Sequence, residues 1–199
     1  VANELIKERA EFYTANHPST KMICGDVTDK VVFDAIIEES KKSGVKFIIA
    51  TPPCQGMSTL GLKQYATDSR NTLFYYAMNA INELSPDFVL FENVPKFIQL
   101  KYLDDGEELN VVEILQKHYS NSYNVEYKIL NAMHFGVPQS RPRIIIKMFK
   151  KDKYWPWPKE EPIITLRKAI GDLPSLESGE DSGIKWHKAL VHSPMQVEA

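Results

Sequence analysis

The run Val45-Lys46-Phe47-Ile48-Ile49-Ala50 feeds directly into Thr51-Pro52-Pro53-Cys54-Gln55-Gly56, and no other stretch constrains the chain as much. Six mostly apolar, β-branched residues in a row read as a strand buried in a parallel sheet. The two prolines then end regular structure and fix the backbone. The next side chain is a thiol at the carboxyl end of a strand, the edge at which open α/β sheets bind their ligands.

The rest of the chain alternates around that strand. Helical spacing predicts helices over 5–16, 30–42 and 71–84, the second capped by Thr28-Asp29 and closed by Gly44. Short apolar runs predict strands at 21–24, 88–91, 125–130 and 143–148, and a further helix is expected over 107–119. Strand and helix in alternation predict an α/β fold with a doubly wound, mostly parallel sheet. The last two strands follow each other with no helix between them, so the final strand is expected to be antiparallel. Residues 56–70 form a polar stretch of fifteen residues with no periodicity, long enough to suggest a binding loop. From Lys150 the composition shifts to the aromatic, proline-rich Tyr154-Trp155-Pro156-Trp157-Pro158. A short capped helix follows at 165–170, and then the weakly patterned 175–199. We expect a core over 1–150 and a connector over 151–199.

Composition narrows the class. With 43% hydrophobic and 25% charged residues, the 199-residue chain suits a globular domain with a sizeable core. No apolar run approaches the ~20 residues of a membrane helix. The two cysteines, Cys24 and Cys54, are too few for a disulfide framework or a zinc site, and the five histidines show no ligand spacing, so no metal is expected. A reducing cytoplasm is the expected setting. The formal net charge of −2 gives no global nucleic-acid footprint, so any such surface must be local.

Three strand ends carry reactive groups, Asp26, Cys54 and Glu92, and Gln139-Ser140-Arg141-Pro142-Arg143 opens a fourth strand. In a parallel sheet the first three share one rim. A free thiol with pKa ~8.5 is only about 3% ionised at pH 7, so it needs cations nearby, which Arg141 and Arg143 offer. A carboxylic acid beside it can protonate a ring nitrogen. Thiolate, acid and guanidinium groups together suit conjugate addition to a pyrimidine: attack at carbon-6, protonation at nitrogen-3, and a nucleophilic carbon-5.

Pro53-Cys54-Gln55, Glu92-Asn93-Val94 and Gln139-x-Arg141-x-Arg143, in this order and spacing, closely resemble the cytosine-5 DNA methyltransferase family. The likeness runs from Asn3-Glu4 to the segment 165–174. It implies the Rossmann-like class I methyltransferase fold, S-adenosylmethionine as methyl donor, and double-stranded DNA as substrate, with the target base flipped out of the helix. By the same resemblance Cys54 is the nucleophile, Glu92 contacts and protonates the ring, and Arg141 and Arg143 orient the base. Glu4 matches the ribose ligand, with Leu5 beside the adenine. Asp26 matches the adenine-amino contact, with Val27 next to it. Pro53 and Leu73 line the cofactor pocket, while Gln55, Ser58, Arg70 and Gln139 face the nucleic acid. The setting implied is a bacterial or phage restriction-modification system.

Two departures shape the expectation. The family's first glycine-rich turn, which holds the methionine part of the cofactor, has no counterpart before Cys54, and the target-recognition domain that normally follows is absent from the sequence. A core incomplete at its N-terminus is therefore expected, completed by further chain or a complementary subunit. An RNA cytosine-5 methyltransferase on the same core, or a catalytically silent regulatory subunit, are the rival readings. Residue by residue the plain alternatives are a packed core thiol for Cys24, a turn pair for Glu92-Asn93, a helix cap for Asp26, surface charges for Arg141 and Arg143, and packing or interface roles for Trp155, Trp157 and Trp186.

Overall fold

The computed structural model describes residues 1–53 and 73–192. Through them run β1 (Ala2–Glu4), α1 (Lys7–Asn16), β2 (Met22–Cys24), α2 (Lys30–Lys42), β3 (Phe47–Ala50), α3 (Leu73–Leu84), β4 (Phe88–Asn93), β5 (Tyr102–Asp104), β6 (Glu107–Leu109), α4 (Val111–Tyr119), β7 (Tyr123–Asn131), β8 (Pro142–Lys150) and α5 (Leu166–Ile170). A turn of 3-10 helix over Pro95–Gln99 follows β4. The chain separates into two compact units: Val1–Asn131 with Pro142–Pro158, and Ala132–Arg141 with Lys159–Ala199. No described helix is long and apolar enough to cross a membrane.

The architecture is mixed α/β. In the first unit four strands form one sheet in the order β3-β4-β8-β7, and β1 and β2 form a separate parallel pair. β3 and β4 are parallel, while β8 is antiparallel to both β4 and β7, so the antiparallel final strand expected from the missing crossover helix is present. Among the described strands β3 is paired on one side alone, with β4. Its Phe47 and Ile49 are 44% and 63% exposed.

Period-two alternation sorts β4. Val89, Phe91 and Asn93 face the core, and Phe88, Leu90 and Glu92 face the other way. The core itself is Phe74 and Ile81 of α3, Ile114 and Leu115 of α4, Val89 and Phe91 of β4, and Ile144, Ile146 and Met148 of β8. Each is fully buried, a contribution of about 1.5–3 kcal/mol for a side chain of this size. α4 begins at Val111 because Asn110 and Glu113 form a reciprocal capping box, with Asn110 Oδ1 accepting from the Val112 and Glu113 amides and Glu113 Oε2 accepting from the Asn110 amide.

Several expectations are corrected here. The helix expected from residue 107 starts four residues later, and the β5–β6 hairpin fills the space before it, turning at Asp105 (φ 50°) and Gly106 (φ 84°). β1 is a strand where no element was expected, held by its pairing to β2. The predicted apolar face of α1 is not covered by the described residues: Ala10 is its buried residue, and Phe12 is 74% exposed. Cys24, expected in a packed core, is exposed, with Sγ 3.9 Å from the Leu5 carbonyl. β2 is only three residues long and the β1–β2 pair is not part of the large sheet, so flanking apolar residues do not bury it.

Candidate active site

The end of β4 and the start of β8 meet because the strands are antiparallel with Glu92 opposite Ile145. Arg143, two residues along on the same face, is therefore the diagonal neighbour of Glu92. Its Nε donates to Glu92 Oε1 at 2.8 Å, and its Nη1 donates to the Pro142 carbonyl at 2.8 Å. The side chains are 23% and 34% exposed, so the pair is half-sheltered and still reachable. A charge-assisted bond of this length orients both groups.

One position on, Asn93 turns the other way and is 3% exposed. Its Nδ2 donates to the Pro52 carbonyl at 3.0 Å, and its Oδ1 accepts from the Val94 amide at 2.8 Å. The parallel register, Ala50 beside Phe91, brings the two strand ends level, and the asparagine ties them across. The sequence analysis named Asn93 as part of a motif but gave it no role. A partner 41 residues upstream leaves no local signal.

A second pair of strand ends lies side by side at β1 and β2, where the Gly25 amide donates to the Glu4 carbonyl at 2.9 Å. Asn3 Nδ2 donates to both the Ile23 and Gly25 carbonyls at 3.0 Å and fixes this turn. Gly25 has φ +154°, and a Cβ there would lie 2.7 Å from Val32 Cγ2, so a side chain at this step would be strained and would displace Val32. Glu4 Oε1 accepts from the Ile6 amide at 2.9 Å. Asp26 Oδ1 accepts from the Thr28 amide at 2.9 Å and the Thr28 hydroxyl at 2.8 Å. The Thr28 amide and then its hydroxyl hold the Asp26 carboxyl below the usual carboxylate range. Asp26 thus forms an Asx turn, while the cap of α2 is Asp29, whose Oδ1 accepts from the Val31 amide at 2.7 Å. Each carboxylate is engaged through one oxygen. Leu5 is 62% exposed, and Val27 is half-buried beside Asp26.

The structure thus joins Glu92 with Arg143, and Glu4 with the turn carrying Asp26. Pro53 is exposed, and Leu73 begins α3 half-buried. Gln139 and Arg141 belong to the second unit, where the Arg141 carbonyl accepts from the Ala132 amide at 3.2 Å. Cys54, Gln55, Ser58, Arg70 and the expected loop 56–70 lie outside the described residues.

One cluster resembles a metal site. Asp104, Asp105 and His118 have ligand atoms within 4.8 Å of one another. The Lys117 ammonium lies 3.1 Å from Asp104, 3.4 Å from Asp105 and 3.1 Å from Glu107, so a resident cation already pairs with these carboxylates. Burial pushes the Asp104 carboxyl up, but the hydrogen bonds from His118 and Lys117 outweigh it and hold the group low. The cluster anchors the β5–β6 hairpin to α4.

The family model for C-5 cytosine-specific DNA methylases matches residues 1–194. The type II methyltransferase M1.HgaI of Avibacterium volantium is 40% identical over 202 residues, covering 100% of this chain and 57% of that protein. M1.HphI of Haemophilus parahaemolyticus is 32% identical over 200 residues, covering 98% of this chain and 52% of its own length. The chain therefore spans about half the length of these curated relatives. Among solved structures, a prophage-encoded Escherichia coli protein named as a DNA modification methyltransferase superposes with a TM-score of 0.67 at 25% identity, covering 91% of this chain and 51% of that one. Spodoptera frugiperda DNMT2, at 24% identity, shares the fold with a TM-score of 0.55 over 82% of this chain and 46% of that one.

Proposed function

The chain belongs to the C-5 cytosine-specific DNA methylase family, and from that premise we propose that it carries the base-activating half of an enzyme that methylates carbon-5 of cytosine in double-stranded DNA. The observation that carries this reading is the Glu92–Arg143 pair, set beside a Pro52 turn tied down by Asn93. Cys54 follows Pro52 by two residues, and two residues of chain span at most about 7 Å. We assign the Cys54 thiol to the same site as the acid.

In this reading the Cys54 thiolate adds to carbon-6 of a flipped-out cytosine, because a base within the stack is out of reach. Glu92 holds the proton that goes to ring nitrogen-3. Arg143 and Arg141 are assigned to orient the base and favour the anionic sulfur. Electron density then builds at carbon-5. After methylation, loss of the carbon-5 proton, expulsion of the thiolate and return of the nitrogen-3 proton to Glu92 restore the ring. Gln55, Ser58, Arg70 and Gln139 are assigned to the DNA.

S-adenosylmethionine, when bound, supplies the electrophilic methyl group. The residues present suit it: Glu4 and Asp26 each keep one carboxylate oxygen unengaged by the described residues, matching a ribose diol and an exocyclic amine. Leu5 and Val27 add apolar surface for a purine, with Pro53 and Leu73 completing the wall. In the complete enzyme the β1–β2 pair and the four-stranded sheet belong to one doubly wound sheet of the class I type. The remainder of that enzyme, whether further chain or a complementary subunit, contributes the methionine-binding turn and target recognition. The setting we assign is a cytoplasmic restriction-modification system of a bacterium or phage.

The test uses the complete protein with cofactor and duplex DNA containing 5-fluorocytosine, in parallel with a matched tRNA. A covalent adduct on DNA, absent from Cys54→Ala, is the expected result. An adduct on RNA alone would favour the RNA reading, and no adduct on either would favour a silent subunit.

A further inference from the structure

Lys147 is charged, lies in the middle of β8, and is 2% exposed. Nothing in the proposed reaction uses it. Strand alternation turns it away from the Ile144–Met148 core face, onto the face shared with Ile145 and Phe149. There its ammonium group is fully occupied. One bond goes to the Trp155 carbonyl, and Glu126 Oε2, opposite it on β7, lies at 3.2 Å. The ring of Trp157 has its centroid 4.4 Å away, with Phe149 at 5.2 Å and Trp155 at 5.7 Å. The Trp157 indole N–H closes the circuit by donating to the same Glu126 oxygen at 2.8 Å. A carbonyl, a carboxylate and an aromatic face thus meet the three N–H donors of one lysine.

This cage fixes the path of a segment that has no secondary structure of its own. After β8 the chain turns, with the Lys153 amide donating to the Lys150 carbonyl at 2.9 Å. It then runs back along the strand it has just left. Trp155 packs edge-on against Phe149, Phe88 and Phe47, and Trp157 comes to lie near Lys147, Glu126 and Lys128. Since Lys128 pairs with Ile145, the connector is heading toward the end of β8 that bears Arg143. One residue after Pro158 the second unit begins.

We propose that Lys147 is a positioning residue for DNA engagement: by pinning the connector 151–158, it fixes where the chain leaves the first unit on the Glu92–Arg143 side. The inference rests on the DNA-methylation reading above. Glu126 is 44% exposed at its side chain, so water can solvate it when the lysine is removed, and replacing the lysine by an apolar side chain need not destabilise the fold. Lys147→Met therefore separates positioning from stability.

In the full-length protein, Lys147→Met is expected to raise KM for DNA about tenfold while kcat and KM for S-adenosylmethionine stay within about twofold, the signature of lost uniform binding. Tryptic cleavage after Lys153 and Lys159 is expected to accelerate about tenfold as the connector opens locally. Lys147→Arg keeps a cation over the indole and restores both values. Trp157→Ala, a change outside the buried core, reproduces the Lys147→Met phenotype. Wild-type KM and wild-type cleavage in Lys147→Met would overturn the proposal, as would a joint fall of kcat, cofactor affinity and Tm. A wild-type protein that leaves DNA unmethylated would instead refute the reading on which the inference rests, while the cleavage rates would still decide whether the latch exists.

Discussion

Asn93→Asp tests the tie between the two strand ends with a change of one atom. The variant keeps Oδ1 for the Val94 amide but replaces the Nδ2 donor with an oxygen facing the Pro52 carbonyl across 3.0 Å. Loss of the bond removes about 1 kcal/mol, and a buried carbonyl left without a donor costs about 1–3 kcal/mol more. The site is 3% exposed, so solvent screens little of this. At 1.4 kcal/mol per tenfold, a total of about 2–4 kcal/mol falling on the Pro52 turn predicts adduct formation roughly 30-fold to several hundred-fold slower at pH 8. Desolvation also raises the pKa of a buried aspartic acid. Once protonated, the new group has a hydroxyl that can donate to Pro52, so the defect shrinks as pH falls. The assay is the single-turnover rate of covalent trapping on 5-fluorocytosine duplex DNA between pH 6 and 8. It is expressed as the ratio of variant to wild type, which cancels the loss of thiolate common to both. A ratio near one at pH 8, or a ratio independent of pH, refutes the argument.

Arg143→Lys removes the planar fork that bonds Glu92 while leaving the Ile144–Met148 core intact; a charge-assisted bond of about 1.5–3 kcal/mol predicts a tenfold to hundredfold loss of kcat with Tm changed little, measured by methyl incorporation and thermal denaturation. Tyr102→Phe deletes a hydroxyl that is buried with no partner among the described residues, so chemical denaturation should show the variant more stable by about 1 kcal/mol. Asp104 is held low when folded, so its contribution to stability is full above the unfolded carboxylate pKa and lost as pH falls through the lower folded value. Asp104→Asn should therefore flatten the acid limb of the stability curve below about pH 4 and lower stability at pH 7, as urea unfolding across pH can report.

What could be read from the sequence follows from how local each determinant is. α2, β3, α3, β4 and β8 were visible because each carries an apolar pattern long enough to fix its type. β1 was not: Ala2-Asn3-Glu4 has no strand signature and becomes one only through its register with β2. The β5–β6 hairpin did carry a signal, the Asp105-Gly106 pair at its turn, but the helical spacing that follows it drew the boundary too early. In the site, Glu92 and Arg143 were identified by the motif set, and antiparallel pairing then made them diagonal neighbours. The Asn93–Pro52 bond and the Lys147 cage depend on residues brought together by tertiary packing, and no periodicity announces them.

The one-sided pairing of β3 has a practical consequence for handling this polypeptide. Among the described strands none pairs with the outer side of Phe47-Ile48-Ile49-Ala50, and the strand holds neither proline nor charge to discourage a newcomer. Purified without a segment laid along that margin, the polypeptide is a template for edge-to-edge self-association, and its solubility will fall with concentration until the margin is occupied.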